Sequence, residues 1–94
     1  MSLNYRSIVR RTPGLMSTLI SDDIVILNPA RNNYIGLDAT GRRLWDLLAE
    51  PMKVDDLCRQ LTEEYDGNTS QIPADVLEFV EGLSQEGLLE TCSE

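Results

Sequence analysis

The side chains able to do chemistry in this chain are mostly carboxylates, and they are not arranged to act together. The sequence has sixteen Asp and Glu, eight Lys and Arg, and no histidine. Lacking histidine, it lacks the commonest general base and the commonest metal ligand. The adjacent acids Asp55/Asp56 and Glu63/Glu64 fall in stretches that read as helix. Neighbouring helical side chains diverge by about 100°, so neither pair shares a site. A nucleophilic Ser or Cys needs a positioned base, and none is evident. Gly36 and Gly41 flank a helix start but match neither the P-loop nor the dinucleotide pattern. Cys58 and Cys92, without histidine, make no zinc pattern; the expectation is a buried free thiol at Cys58 and an exposed one in the tail. Catalysis by this chain alone is not expected, and no cofactor or metal is implied.

What remains is the chemistry of the backbone. The run from Asn32 to Leu48 reads as a short strand, a helix cap and an amphipathic helix in immediate succession. In the strand, Ile35 and Leu37 share one face while Tyr34 and Gly36 share the other. Gly36 adds no side chain and permits close approach by another backbone. Asp38 is placed to cap the helix through the N–H of Thr40 or Gly41.

The surrounding elements give this strand its position. Met16 to Ile20 reads as a half-buried strand, Ser21-Asp22-Asp23 as a turn, and Ile24 to Leu27 as a central strand covered on both faces. After the turn Asn28 to Asn32, Tyr34 to Leu37 is a third strand with one unpaired side, because short polar turns favour an antiparallel meander. Three helices follow. The first runs to about Ala49 on Leu44, Trp45, Leu47 and Leu48; the second spans Val54 to Tyr65 on Leu57, Cys58, Leu61 and Tyr65. The third begins near Pro73 and closes at Gly87, with Ile72, Val76, Phe79, Val80 and Leu83 as its main face and Leu77 about 100° away. Residues 8–10 and 88–90 read as short extended segments, and residues 91–94 as a frayed end. The fold class is α+β and winged helix-turn-helix-like: a three-stranded antiparallel sheet followed by three helices, in one domain over 1–94 with an ordered core at about 15–90.

Charge narrows the partners. Residues 1–49 carry six Arg against four Asp, whereas residues 50–94 carry Lys53 and Arg59 against twelve acids. A winged helix invites a DNA-binding reading, in which the third helix would enter the major groove. That helix offers Asp75, Glu78, Glu81 and Gln85, and phosphates would repel it. No apolar stretch approaches the roughly 20 residues of a membrane span, and the N-terminus has no apolar signal region, so a cytoplasmic location is the default. An open strand edge instead suits a peptide that adds as a further strand. The candidate contacts are Asn33, Tyr34, Ile35, Gly36 and Leu37 on the strand. Leu77, Glu78 and Phe79 on the third helix would form the opposite wall if that helix lies along the edge. The same edge can pair with a second copy, so a homodimer or self-associating subunit is a competing use.

The sequence resembles the PqqD-like family. The matching pieces are Tyr34-Ile-Gly-Leu-Asp-Ala-Thr-Gly-Arg-Arg-Leu-Trp-Asp-Leu-Leu48, Val54-Asp-Asp-Leu-Cys-Arg-Gln-Leu61, Glu64-Tyr-Asp66, Asp75-Val-Leu-Glu-Phe-Val-Glu-Gly-Leu83 and Glu86-Gly-Leu-Leu89. Their order and spacing cover residues 15–90. The resemblance implies a recognition element that binds the leader of a ribosomally made precursor peptide. It would present that precursor to a radical SAM protein, as in pyrroloquinoline quinone synthesis, or to a leader protease, as in lasso-peptide synthesis. It further implies that the leader pairs with the third strand, Asn33 to Leu37, and lies against the third helix around Asp75 to Gly82. The style of residues 34–48 is closer to lasso-type members. Lys53 stands where many relatives have a Ser or Thr cap.

Overall fold

Two small antiparallel sheets and three helices share one apolar core in the computed structural model, which describes residues 3–92. In chain order the elements are β1 (Ile8–Arg11), β2 (Met16–Ile20), β3 (Asp23–Asn28), β4 (Asn33–Leu37), α1 (Ala39–Leu47), β5 (Met52–Lys53), α2 (Val54–Glu64), α3 (Ile72–Gln85) and β6 (Leu89–Cys92). One sheet is the expected meander β2-β3-β4, with Ile26 opposite Ile35 at its centre. The other, β5-β1-β6, is assembled from both ends of the domain and was not anticipated as a sheet. Its strands are two to four residues long, too short to carry a clear alternation of their own.

The helices form where the apolar spacing places them. Asp38 caps α1, its carboxylate accepting from the Gly41 N–H at 2.9 Å. α2 has no side-chain cap at Lys53. Its first free N–H groups, of Val54 and Asp55, donate to the carbonyls of Ser7 and Tyr5 at 2.9 Å each, so the segment before β1 does the capping. α3 carries Pro73 in its first turn and presents Ile72, Val76, Val80 and Leu83 to the core. These meet Ile26, Leu44, Trp45 and Leu57. Burying several such side chains at about 1.5–3 kcal/mol each is the main stabilising term.

Arg11 joins the second sheet to α1. Its guanidinium lies 4.6 Å from the Trp45 ring centroid and donates to the Trp45 carbonyl. Burial pulls its pKa below the ordinary guanidinium value.

Several expectations need correction. β2 is exposed along its whole length rather than half-buried, with Met16, Leu19 and Ile20 each more than half accessible, because the helices pack over β3 and β4. β3 is central but covered on one face: Ile24 and Ile26 are buried, while Leu27 on the other face is exposed, as an antiparallel sheet allows. α2 stops at Glu64, so Tyr65 leaves its apolar stripe and is exposed. Thr91 and Cys92 belong to β6 rather than to a frayed end, and Cys92 is half-buried; residues 93 and 94 lie outside the described residues. Cys58 is a buried free thiol as expected, its pKa pushed up by burial and then by Asp55. Among the described residues no helix is long and apolar enough to cross a membrane.

Candidate functional site

β4 is an edge strand, and the hairpins fix which of its backbone groups are free. Ser21 and Asp22 form a two-residue turn with Ser21 at φ 56°. Such a turn closes on a pair that exchanges both backbone bonds, here Ile20 and Asp23. Alternation along β3 then turns Ile24, Ile26 and Asn28 toward β4, opposite Leu37, Ile35 and Asn33. The N–H and C=O groups of Tyr34 and Gly36 therefore face the open edge.

Beside that edge lies a groove of about 510 Å³ between β4 and α3, with Ile35, Leu37 and Phe79 as its apolar surface and Asp75, Glu78 and Gly82 on its helical wall. It runs into a wider recess of about 760 Å³ where the start of α1, the end of α2 and the start of α3 converge. Leu37, Asp75 and Phe79 line both. Gly41 makes this junction possible. A Cβ there would stand 3.1 Å from Phe79 Cε1 and 3.2 Å from Leu37 Cβ, so a larger residue would displace the ring.

Each end of the depression is held by polar bonds. At the β3–β4 turn, Arg31 donates to the Gln85 carbonyl at 2.9 Å, Asn33 Nδ2 to Glu86 Oε2 at 3.1 Å, and buried Asn28 to the Gly87 carbonyl at 3.3 Å. These bonds clamp the turn to the end of α3 and set the groove's width. Gly87 has φ +79°, and a Cβ on it would meet Arg31 Nε at 2.7 Å. At the recess, Arg43 grips Glu64 through two bonds of 2.9 and 2.6 Å, and those bonds hold the Glu64 carboxyl below its ordinary pKa. Among the described residues no cluster of His, Cys, Asp and Glu could hold a metal ion.

Of the residues singled out from sequence, Ile35, Leu37, Asp75, Glu78, Phe79 and Gly82 come together around the groove, and Gly36 reaches the recess. Asn33 stands at the clamp. Tyr34 is 75% exposed on the sheet's outer face, and Leu77 packs half-buried against the core, outside the groove lining. Sequence reasoning missed Leu83, Gln85 and Glu86 on the wall. Glu86 extends the stripe Asp75, Glu78, Gly82 by one more step of four, a signal that was available. It also missed the rest of the recess, whose lining includes Leu44, Leu61 and Tyr65 from α1, α2 and the residue after α2.

The same fold occurs in known proteins. No curated protein sequence matches the chain. Among solved structures, TbiB1 in complex with the TbiA(beta) leader peptide is 28% identical, with a TM-score of 0.78 over 90% of this chain and 99% of that one. The PqqD truncation of Methylobacterium extorquens PqqCD, described as a functional and stand-alone recognition element for ribosomally synthesised and post-translationally modified peptides, is 23% identical, with a TM-score of 0.77 over 95% of each chain. Lasso peptide synthetase B1 complexed with its leader peptide is 21% identical, with a TM-score of 0.74 over 87% of this chain and 96% of that one. The last two share the fold with this chain, a mixed α/β domain of winged-helix type. The family model described as coenzyme PQQ synthesis protein D matches residues 23–89, which takes in the β3–β4 edge, all three helices and the groove between them, and the chain therefore belongs to the PqqD family.

Proposed function

We propose that this domain binds the leader segment of a ribosomally synthesised precursor peptide as an added strand on β4 and presents it to a modifying enzyme of the pathway. One observation carries the reading: a free strand edge, with the Tyr34 and Gly36 backbone groups open, stands beside a groove with an apolar surface. Main-chain bonds to the edge supply affinity for any extended peptide, and the groove beside it supplies selectivity. Similar structures carry leader peptides in complex, which supports the same use here. The domain's own role is non-catalytic: it raises the local concentration of precursor at an enzyme, whether a radical SAM protein or a leader protease. A DNA-binding role is disfavoured, since Asp75, Glu78 and Glu81 lie on the helix that would enter the groove.

The test is a titration of the isotope-labelled domain with leader peptides of pyrroloquinoline and lasso type. Amide shifts concentrated at residues 33–37 and on α3 are expected with the cognate leader. A folded domain whose β4 amides stay still with every leader would contradict the reading.

A further inference from the structure

We propose that the segment laid along β4 carries two cationic side chains four residues apart, with an apolar residue midway between them. The inference rests on the leader-binding reading and adds the chemistry of what is bound. Asp75, Glu78, Gly82 and Glu86 recur at steps of three and four, which is one stripe of a helix, and all four line the groove. Among the described residues none of these three carboxylates is in an ion pair. No Lys or Arg lines the groove. Arg43, at the recess, is paired with Glu64, while Arg31, at the clamp, bonds the neutral Gln85 carbonyl and keeps its positive charge. Glu86 accepts only from the neutral Asn33 amide. The wall thus sets three carboxylates against one nearby arginine, a net negative charge toward whatever occupies the groove, and basic side chains complement it.

Spacing sets the pattern. At 1.5 Å rise per residue, Asp75 and Glu78 are about 4.5 Å apart along the axis and Glu78 and Glu86 about 12 Å apart. An extended peptide advances about 3.3 Å per residue and turns alternate side chains to one face, so four residues cover about 13 Å. Lys or Arg at positions i and i+4 would therefore reach the Asp75–Glu78 end and the Glu86 end. Position i+2 would fall over Gly82, where an added Cβ meets nothing within 4 Å, and would face Ile35, Phe79 and Leu83. The pattern is symmetric, so it holds for either direction of the added strand.

The whole chain carries −8 and attracts any cationic peptide, so the test must separate placement from net charge. Three capped synthetic peptides with matched polar flanks serve: a Lys-Thr-Leu-Thr-Lys core, the same core with Gln for both Lys, and an equal-charge core, Lys-Thr-Leu-Lys-Thr, that turns one Lys to the outer face. Binding is read by fluorescence anisotropy at low salt, and β4 amide shifts report where each peptide sits. The first peptide is expected to bind about tenfold more tightly than the neutral core and about threefold more tightly than the third. That advantage should vanish in the Asp75→Asn, Glu78→Gln, Glu86→Gln triple variant, which replaces each carboxylate by an amide of the same size. Equal affinity of the first and third peptides, or of the first and the neutral one, with β4 shifts present, would overturn the placement of charge and leave strand addition standing. If no peptide moves the β4 amides, this inference falls, and the titration with leader peptides decides separately whether strand addition stands.

Discussion

The sheet β2-β3-β4 has two free edges, and they are not equivalent. β2 contains five residues without a charge, all exposed; β4 is also five residues long, but its inner side chains Ile35 and Leu37 contact a groove walled by α3. Both edges offer unpaired backbone groups, the generic means of pairing with another chain. Of the two edges, β4 has a second wall that can discriminate among side chains, and its hairpin with β3 is clamped to a helix through Asn28, Arg31 and Asn33. An open edge therefore makes strand addition possible, and the neighbouring helix makes it selective.

The sharpest way to break that comparison is to place proline at successive residues. Ile35 points its backbone at Ile26, so Ile35→Pro removes a ladder bond within the sheet and should cost about 3 kcal/mol or more, seen as loss of the cooperative thermal transition. Tyr34 points outward, and an edge strand tolerates proline there. Tyr34→Pro should stay folded while losing leader affinity by about tenfold or more, the worth of a hydrogen bond and a blocked approach. The matching change on the other edge, Leu19→Pro, should leave leader binding intact. Equal loss of binding from Tyr34→Pro and Leu19→Pro, by calorimetric titration, would show that the two edges are used alike.

Gly82 sharpens the role of the wall. An added Cβ there meets nothing within 4 Å, and a longer side chain would project into the groove. Gly82→Leu should raise helix stability by about 0.5–1 kcal/mol while weakening leader binding severalfold. Stability and affinity moving in opposite directions is a signature that simple misfolding cannot give. The clamp is tested through stability, not affinity. Gly87→Ala forces a side chain into a left-handed conformation and against Arg31, which should cost about 1–2 kcal/mol and lower the melting temperature by several degrees. Amide shifts should appear at residues 31–33 with few changes in β2.

What was legible in the sequence divides along the same line. The β3–β4 hairpin, the Asp38 cap and the α3 stripe are local patterns within a few residues of one another, and the structure reproduces them. The β5-β1-β6 sheet joins residues more than eighty positions apart, such as Ile8 and Cys92, and no local propensity encodes that. The uncapped Lys53 looked like a weak helix start, and the carbonyls of Tyr5 and Ser7 repair it from a distance. β2 read as half-buried because its composition suits a covered strand, but burial depends on what lies over it, and no helix does. The recess was illegible for the same reason: its lining comes from four separate elements and the loop after α2.

The smallest expected effect concerns the far end of that recess. Glu64 is held below the ordinary carboxylate range by hydrogen bonds from Arg43. A carboxyl whose pKa is depressed on folding stabilises the fold above its unfolded pKa, and that contribution fades as pH falls through the folded value. Both side chains are substantially exposed, so solvent screens the pair and the stabilisation is slight. Glu64→Gln should therefore shift the melting temperature only marginally at neutral pH, and wild type and variant should converge in acid. A gap that instead widened toward acid would mean that the pair opposes folding. Because the pair rims the recess rather than the β4 groove, the same variant should leave the response of β4 to short groove-filling peptides unchanged. A loss of that response without loss of stability would join the recess to the binding edge and extend the asymmetry between β4 and β2 to the start of α1.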